Sequence, residues 1–147
     1  MIRVFVDTGA WFAVQAPDDE HHQRASDSLR SLVTGAFGLV TTNHVVGETY
    51  TLLRVVRGYR AAATFLETLD ATERLERVTV TEDVERRAFA LLHRYHDHDF
   101  SFVDGTSFAL MKAERIRHAF AFDAHFATAG FLRVPDDVGP ESIGSRA

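Results

Sequence analysis

Short apolar runs rich in β-branched and aromatic residues alternate along this chain with longer segments of helical periodicity, and that alternation limits its fold more than any other feature. Ile2 to Val6 reads as a buried first strand, and Gly38-Leu39-Val40-Thr41 as a second. Leu75 to Val80, Ala119 to Phe122 and the short Leu132-Arg133-Val134 read as three more. A turn at Pro17-Asp18-Asp19 opens a helix through about Val33, with Ala25, Leu29 and Leu32 on one face and Gly35 at its end. Asn43 reads as the N-cap of a helix to Arg57, with Val45, Thr49, Leu52 and Val56 on its stripe and Gly58 as its stop. Further helices are expected from Arg60 to Ala71, from Glu82 to about His96, and from the Ser101-Phe102-Val103-Asp104 segment to near Arg117. Strands separated by helices need crossover connections, so the expected fold is α/β: a mainly parallel sheet covered on both faces. A chain of 147 residues has room for one such domain, expected over residues 1–135, with 136–147 as a loop-like C-terminal tail.

Several kinds of chemistry are excluded at once. The chain has no Cys, which removes disulfides, thiolate catalysis and cysteine-ligated zinc. No apolar stretch approaches the roughly 18 residues of a membrane span, and the apolar run at the N-terminus is too short for a signal peptide. A cytoplasmic location is the expectation. Net charge is −5, yet a carboxylate cluster built to hold a metal would itself inflate the acidic count, so a nucleic-acid partner stays open.

The placement of the acids is the informative part. Asp7 follows the first strand and Asp123 follows the strand Ala119 to Phe122, both at carboxyl ends, where ligands collect in parallel sheets. Asp104 opens a helix, where the helix dipole favours an anion. Glu48 lies one turn inside its helix, among Val45, Val46, Gly47 and Thr49, where an acid calls for a partner or a metal. Singly, each has an ordinary role available: Asp7 in a turn with Thr8 and Gly9, Asp104 as a cap, Asp123 opening a loop, Glu48 on a helix surface. Together they fall on one edge of one fold with no cationic run nearby. Two carboxylates 4 Å apart repel by about 4 kcal/mol at an effective dielectric of 20. An all-oxygen pocket without counterions suits Mg²⁺ or Mn²⁺.

Four ordered segments resemble the motifs of the PIN-domain family, and in particular its VapC-type toxins. They are Val6-Asp7-Thr8-Gly9-Ala10-Trp11, Asn43-His44-Val45-Val46-Gly47-Glu48-Thr49, the run from Ser101 to Met111, and Ala121-Phe122-Asp123-Ala124-His125-Phe126 followed by Ala129-Gly130-Phe131. The resemblance implies a PIN-like α/β/α sandwich and a metal-dependent endoribonuclease, in which a metal-activated water hydrolyses RNA to leave a 5′-phosphate and a 3′-hydroxyl. It implies Asp7, Glu48, Asp104 and Asp123 as the catalytic acids, with Asp7, Asp104 and Asp123 on the metal and Thr8 and Ser107 as auxiliary polar groups. Mg²⁺, or alternatively Mn²⁺, is the implied cofactor. The implied partners are an RNA substrate, a cognate antitoxin whose tail reaches the acidic pocket, and a second copy of the chain. Ser107 stands three residues after Asp104 in place of a further acid, which leaves the number of metal ions open.

Two rival folds fail on particular residues. A haloacid-dehalogenase-like phosphatase needs a second acid where Gly9 stands, and a receiver domain needs a phospho-acceptor and a Lys that are not found. A PIN scaffold that binds RNA or protein without cutting is the alternative; loss of an acid usually marks it, and all four are present. His93, His96 and His98 with Asp97 and Asp99 resemble a metal cluster, although His is also favoured at a helix C-terminus. Trp11 is read as either packing or contacting RNA. Arg54, Arg57 and Arg60 either grip phosphates or line a solvated helix end.

Overall fold

A computed structural model describes residues 1–144 of the chain. Its described strands are β1 (Arg3–Val6), β2 (Gly38–Thr42), β3 (Leu75–Val78), β4 (His118–Phe120) and β5 (Leu132–Val134). They form one sheet in the order β3-β2-β1-β4-β5 with every pairing parallel. Successive strand residues face opposite sides of a sheet. Val4, Phe5 and Val6 are all fully buried, so both faces of the central strand are covered. The edge strand β3 carries the exposed pair Glu76 and Arg77, charges that discourage pairing with another chain.

The helices are α1 (Thr8–Gln15), α2 (His22–Thr34), α3 (Asn43–Val56), α4 (Tyr59–Ala71), α5 (Glu82–Arg94), α6 (Phe102–Ala113) and the short α7 (Ala124–Thr128). None of the described helices is long and apolar enough to cross a membrane. Helix α1 carries no amphipathic signal in the sequence, because Ala10, Trp11, Phe12, Ala13 and Val14 are apolar on nearly every side. A helix of that kind belongs in a core. The Pro17 region is a turn, and α2 begins only at His22.

Helix α3 differs in two ways from its periodicity. Its N-cap is Thr42, whose hydroxyl accepts from Val45 N at 3.1 Å. Asn43 instead accepts from Val80 N at 2.8 Å, tying the start of α3 to the chain beyond β3. The inward stripe is Val45, Thr49 and Leu53, so Leu52, Val55 and Val56 face outward. In the same way Leu66 of α4 is exposed while Ala62, Phe65 and Leu69 are buried. Helix α6 ends at Ala113 rather than near Arg117: Arg115 turns to φ 56° and the Ile116 N–H reaches back to the Met111 carbonyl, a left-handed helix stop. Beyond β5, Pro140–Ser142 form a single 3₁₀ turn, and Pro140 and Ile143 are buried.

Trp11 locks the centre of this arrangement. Its ring is fully buried and meets Phe65 edge-on at 5.8 Å. Its indole N–H donates to Thr41 Oγ1 at 3.3 Å, and that hydroxyl donates to the Val6 carbonyl at 3.0 Å, immediately before Asp7. Trp11 therefore packs and does not reach substrate. Trp11→Ala is expected to cost about 3–5 kcal/mol of folding stability, measured by urea unfolding. A loss under about 1 kcal/mol would mean the ring does not pin α1 to the sheet.

Candidate metal-binding active site

Three of the four acids predicted from sequence stand at helix N-termini on the carboxyl edge of the sheet. Asp7 leaves the central strand held by its N–H donating to the Phe120 carbonyl at 3.0 Å, and it occupies the N-cap position of α1. Its backbone carbonyl takes the first helical hydrogen bonds, from Ala10 and Trp11, but its side chain makes no capping bond. Asp104 is the third residue of α6 and forms a capping box with Ser101: each accepts from the other's N–H at 3.0 Å. Asp123 caps α7, accepting from His125 N at 2.8 Å. The positive ends of α1, α6 and α7 thus face the acids, which partly offsets their mutual repulsion.

Asp7 and Asp104 are buried, whereas Asp123 and Glu48 are exposed. Glu48 therefore stands on the solvent-facing side of α3, not on the semi-apolar face that its sequence neighbours suggested. Its charge still reaches Asp7. The Asp7 carboxyl is raised to a pKa of about 7, chiefly by burial, with the Thr8 backbone N–H opposing the rise and the charges of Asp104, Asp123 and Glu48 adding to it. That coupling joins all four acids electrostatically around one point. No Arg or Lys is paired with Asp7, Glu48, Asp104 or Asp123 among the described residues.

Two further observations fit a cation in this pocket. The hydroxyls of Thr8 and Ser107 are buried yet have no hydrogen-bond partner among the described residues, a costly condition unless a ligand or water engages them. Thr8 adjoins Asp7, and Ser107 lies one turn beyond Asp104 on the same helix. Asp104, Asp123 and His125 each offer a ligand atom within 4.8 Å of the others, a group that can hold a metal ion. His125 was not singled out in the sequence, although it lies two residues after Asp123, at the start of the helix that Asp123 caps.

Neighbouring elements hold the site in place. Gly105 lets α6 lie close on α5, since a Cβ there would fall 2.8 Å from Leu92 Cγ. Arg133 grips Asp137 through two parallel bonds of 3.0 and 3.1 Å and donates to the Phe122 carbonyl at 3.3 Å, just before Asp123. The other candidates have structural roles. Arg57 pairs with Asp18 at 3.0 Å and lies over the Phe12 ring, while Arg54 and Arg60 are exposed. His93 and His96 are exposed and His98 stacks on Phe100, and these histidines form no metal-binding group among the described residues. Phe108, Phe120 and Phe126 are core, but Phe102 is 44% exposed beside His44 and Phe89.

A family profile described as the PIN domain matches residues 4–132. The chain is 41% identical over 132 residues to the 23S rRNA-specific endonuclease VapC20 of Mycobacterium tuberculosis, covering 89% of this chain and 97% of that protein. It is 28% identical over 124 residues to the VapC ribonuclease of Archaeoglobus fulgidus, covering 83% and 78% respectively. The crystal structure of the Mycobacterium tuberculosis VapC20, described as a sarcin–ricin loop cleaving toxin, superposes with a TM-score of 0.78 at 37% identity, covering 88% of this chain and 96% of that one.

The raised pKa of Asp7 has a consequence for stability. The unfolded carboxyl titrates near 3.8 and the folded one near 7, so between these values the native state binds the extra proton. Stability of the metal-free protein should therefore fall as pH rises from about 4 to 7. At roughly 1.4 kcal/mol per pKa unit the loss is expected to be about 2–4 kcal/mol. Urea unfolding in chelator across this range should show that slope for the native chain and a flatter one for Asp7→Asn. Identical slopes would remove Asp7 as the strained group.

Proposed function

Because this chain belongs to the PIN-domain family, in its VapC-type branch, we propose that it is a metal-dependent endoribonuclease, the toxin of a toxin–antitoxin pair, with a loop of 23S ribosomal RNA as substrate. The observation that carries this reading is Asp7: a buried, cation-free acid at the end of the central strand, in the field of three other acids. The substrate class follows the relatives that match this chain over nearly its full length.

Asp7, Asp104 and Asp123 would hold Mg²⁺ or Mn²⁺, whose preference for oxygen donors fits this set. When bound, a divalent ion supplies an acidified water and offsets the charge of the scissile phosphodiester. The protein's own part is to keep that charge imbalance in place. Asp7 is kept from a cationic partner, so its charge is available to attract the ion. The N-termini of α1, α6 and α7 present partial positive charge that also suits a phosphate oxygen. The Thr8 and Ser107 hydroxyls would orient water or substrate, and Glu48, exposed on α3 with its charge felt at Asp7, would act on the attacking water.

The outward residues of α3 bear on partners. His44, Leu52, Val55 and Val103 line an apolar groove that includes Glu48, a seat for an antitoxin segment whose basic side chain would then enter the acid cluster. Such a cation would neutralise the carboxylates and compete with the metal. The protein is expected to act in the cytoplasm as a homodimer and to form a hetero-oligomer with its antitoxin. A binding-only scaffold is disfavoured by the unpaired state of Asp7.

The direct test is in vitro cleavage of 23S ribosomal RNA with the 5′ ends mapped by primer extension. Asp7→Asn and Asp104→Asn are each expected to lower cleavage more than about 100-fold, beyond the 10–100-fold typical of losing a ligand's supporting partner. Both variants should keep the native circular dichroism spectrum. Undiminished cleavage by either variant would remove these acids from the reaction, and absence of cleavage by the native protein on any RNA would favour the scaffold.

A further inference from the structure

The two oxygens of the Asp104 carboxylate have different fates. Oδ2 accepts from Ser101 N at 3.0 Å and lies 3.1 Å from His125 Nδ1. Oδ1 has no hydrogen bond among the described residues, though the side chain is only 11% exposed. A carboxylate oxygen can only accept, so the proton of this contact belongs on His125 Nδ1. The imidazole is itself held. Its backbone N–H is fixed by the Asp123 cap, and its ring meets Phe100 edge-on at 5.1 Å. Phe100 in turn meets Phe108 of α6 edge-on at 5.1 Å. One ring therefore joins the start of α7, which Asp123 caps, to the middle of α6, which carries Asp104.

We infer that His125 is a positioning residue: by binding Asp104 through Oδ2 it commits Oδ1 to the metal and sets the spacing between Asp104 and Asp123. This rests on the reading of Asp104 as a metal ligand. A His–carboxylate contact of this kind usually raises metal affinity by orienting the ligand rather than by adding one. Direct coordination through Nδ1 would require that nitrogen to give up its bond to Asp104.

Three variants separate these roles. Asn presents its amide nitrogen near the place of Nδ1, Gln presents it near Nε2, and Phe keeps a ring against Phe100 but has no donor. Mn²⁺ affinity, read by isothermal titration calorimetry without RNA, is expected to fall about 10–100-fold in His125→Phe and His125→Gln. It should stay close to the native value in His125→Asn. Pulsed electron paramagnetic resonance of the native Mn²⁺ complex should show no directly coordinated nitrogen. Native affinity in both Phe and Gln variants, an Asn variant as weak as Phe, or a coordinated-nitrogen signal would each overturn the inference. Failure of the native protein itself to bind Mn²⁺ would instead remove the metal site on which the inference stands, a separately recognised result. If His125→Phe does not fold, the Asn and Gln pair still decides the matter.

Discussion

Everything in this fold bends around one electrostatic difficulty, the gathering of carboxylates at a sheet edge where two of them, Asp7 and Asp104, are buried without an Arg or Lys partner. Asp7 registers the cost as a pKa of about 7, with burial as the largest cause. The surrounding structure resists the obvious relief, which would be for the acids to move apart. Asp7 is the continuation of the central strand and is hydrogen-bonded to Phe120 of the neighbouring one. The Trp11–Thr41–Val6 chain of hydrogen bonds fixes the residue before it. Asp104 is locked by its capping box, and Asp123 is set by its own cap and by Arg133 on the carbonyl before it. The result is a fixed cluster of ligand atoms that could hold a metal ion.

Charge elsewhere is arranged differently. Arg3, Arg24, Arg57, Arg74, Arg77, Arg86, Arg87 and Arg133 all have acidic partners on the surface, contacts that individually contribute little. The contrast is what marks the site: acids outside it are commonly paired with Arg, and acids within it are not. A net charge of −5 is therefore a poor guide to whether the protein meets RNA, because part of that excess is the acid cluster at the sheet edge.

The layout of the fold was legible because parallel strands buried on both faces read as continuous apolar runs, as in Val4-Phe5-Val6, and because Gly35 and Gly58 punctuate the helices. Asp7, Asp104 and Asp123 were legible for a related reason: each lies at a boundary between elements, and such boundaries are visible in sequence. Glu48 lies inside a helix, where its side depends on rotation. The stripe counted through Leu52 and Val56 proved to run through Leu53, which turned Glu48 outward. Helix α1 was invisible to periodicity because it is apolar all round. His125 escaped because its contact with Asp104 spans 21 residues of sequence, which no local pattern carries.

Diffraction from crystals soaked in Mn²⁺, recorded near the manganese edge, tests the central claim most directly. The account predicts an anomalous peak bonded to carboxylate oxygens of Asp7 and Asp104, with Asp123 and Glu48 around it and His125 still hydrogen-bonded to Asp104. A fully occupied peak elsewhere, with the pocket of Asp7 empty, would contradict it.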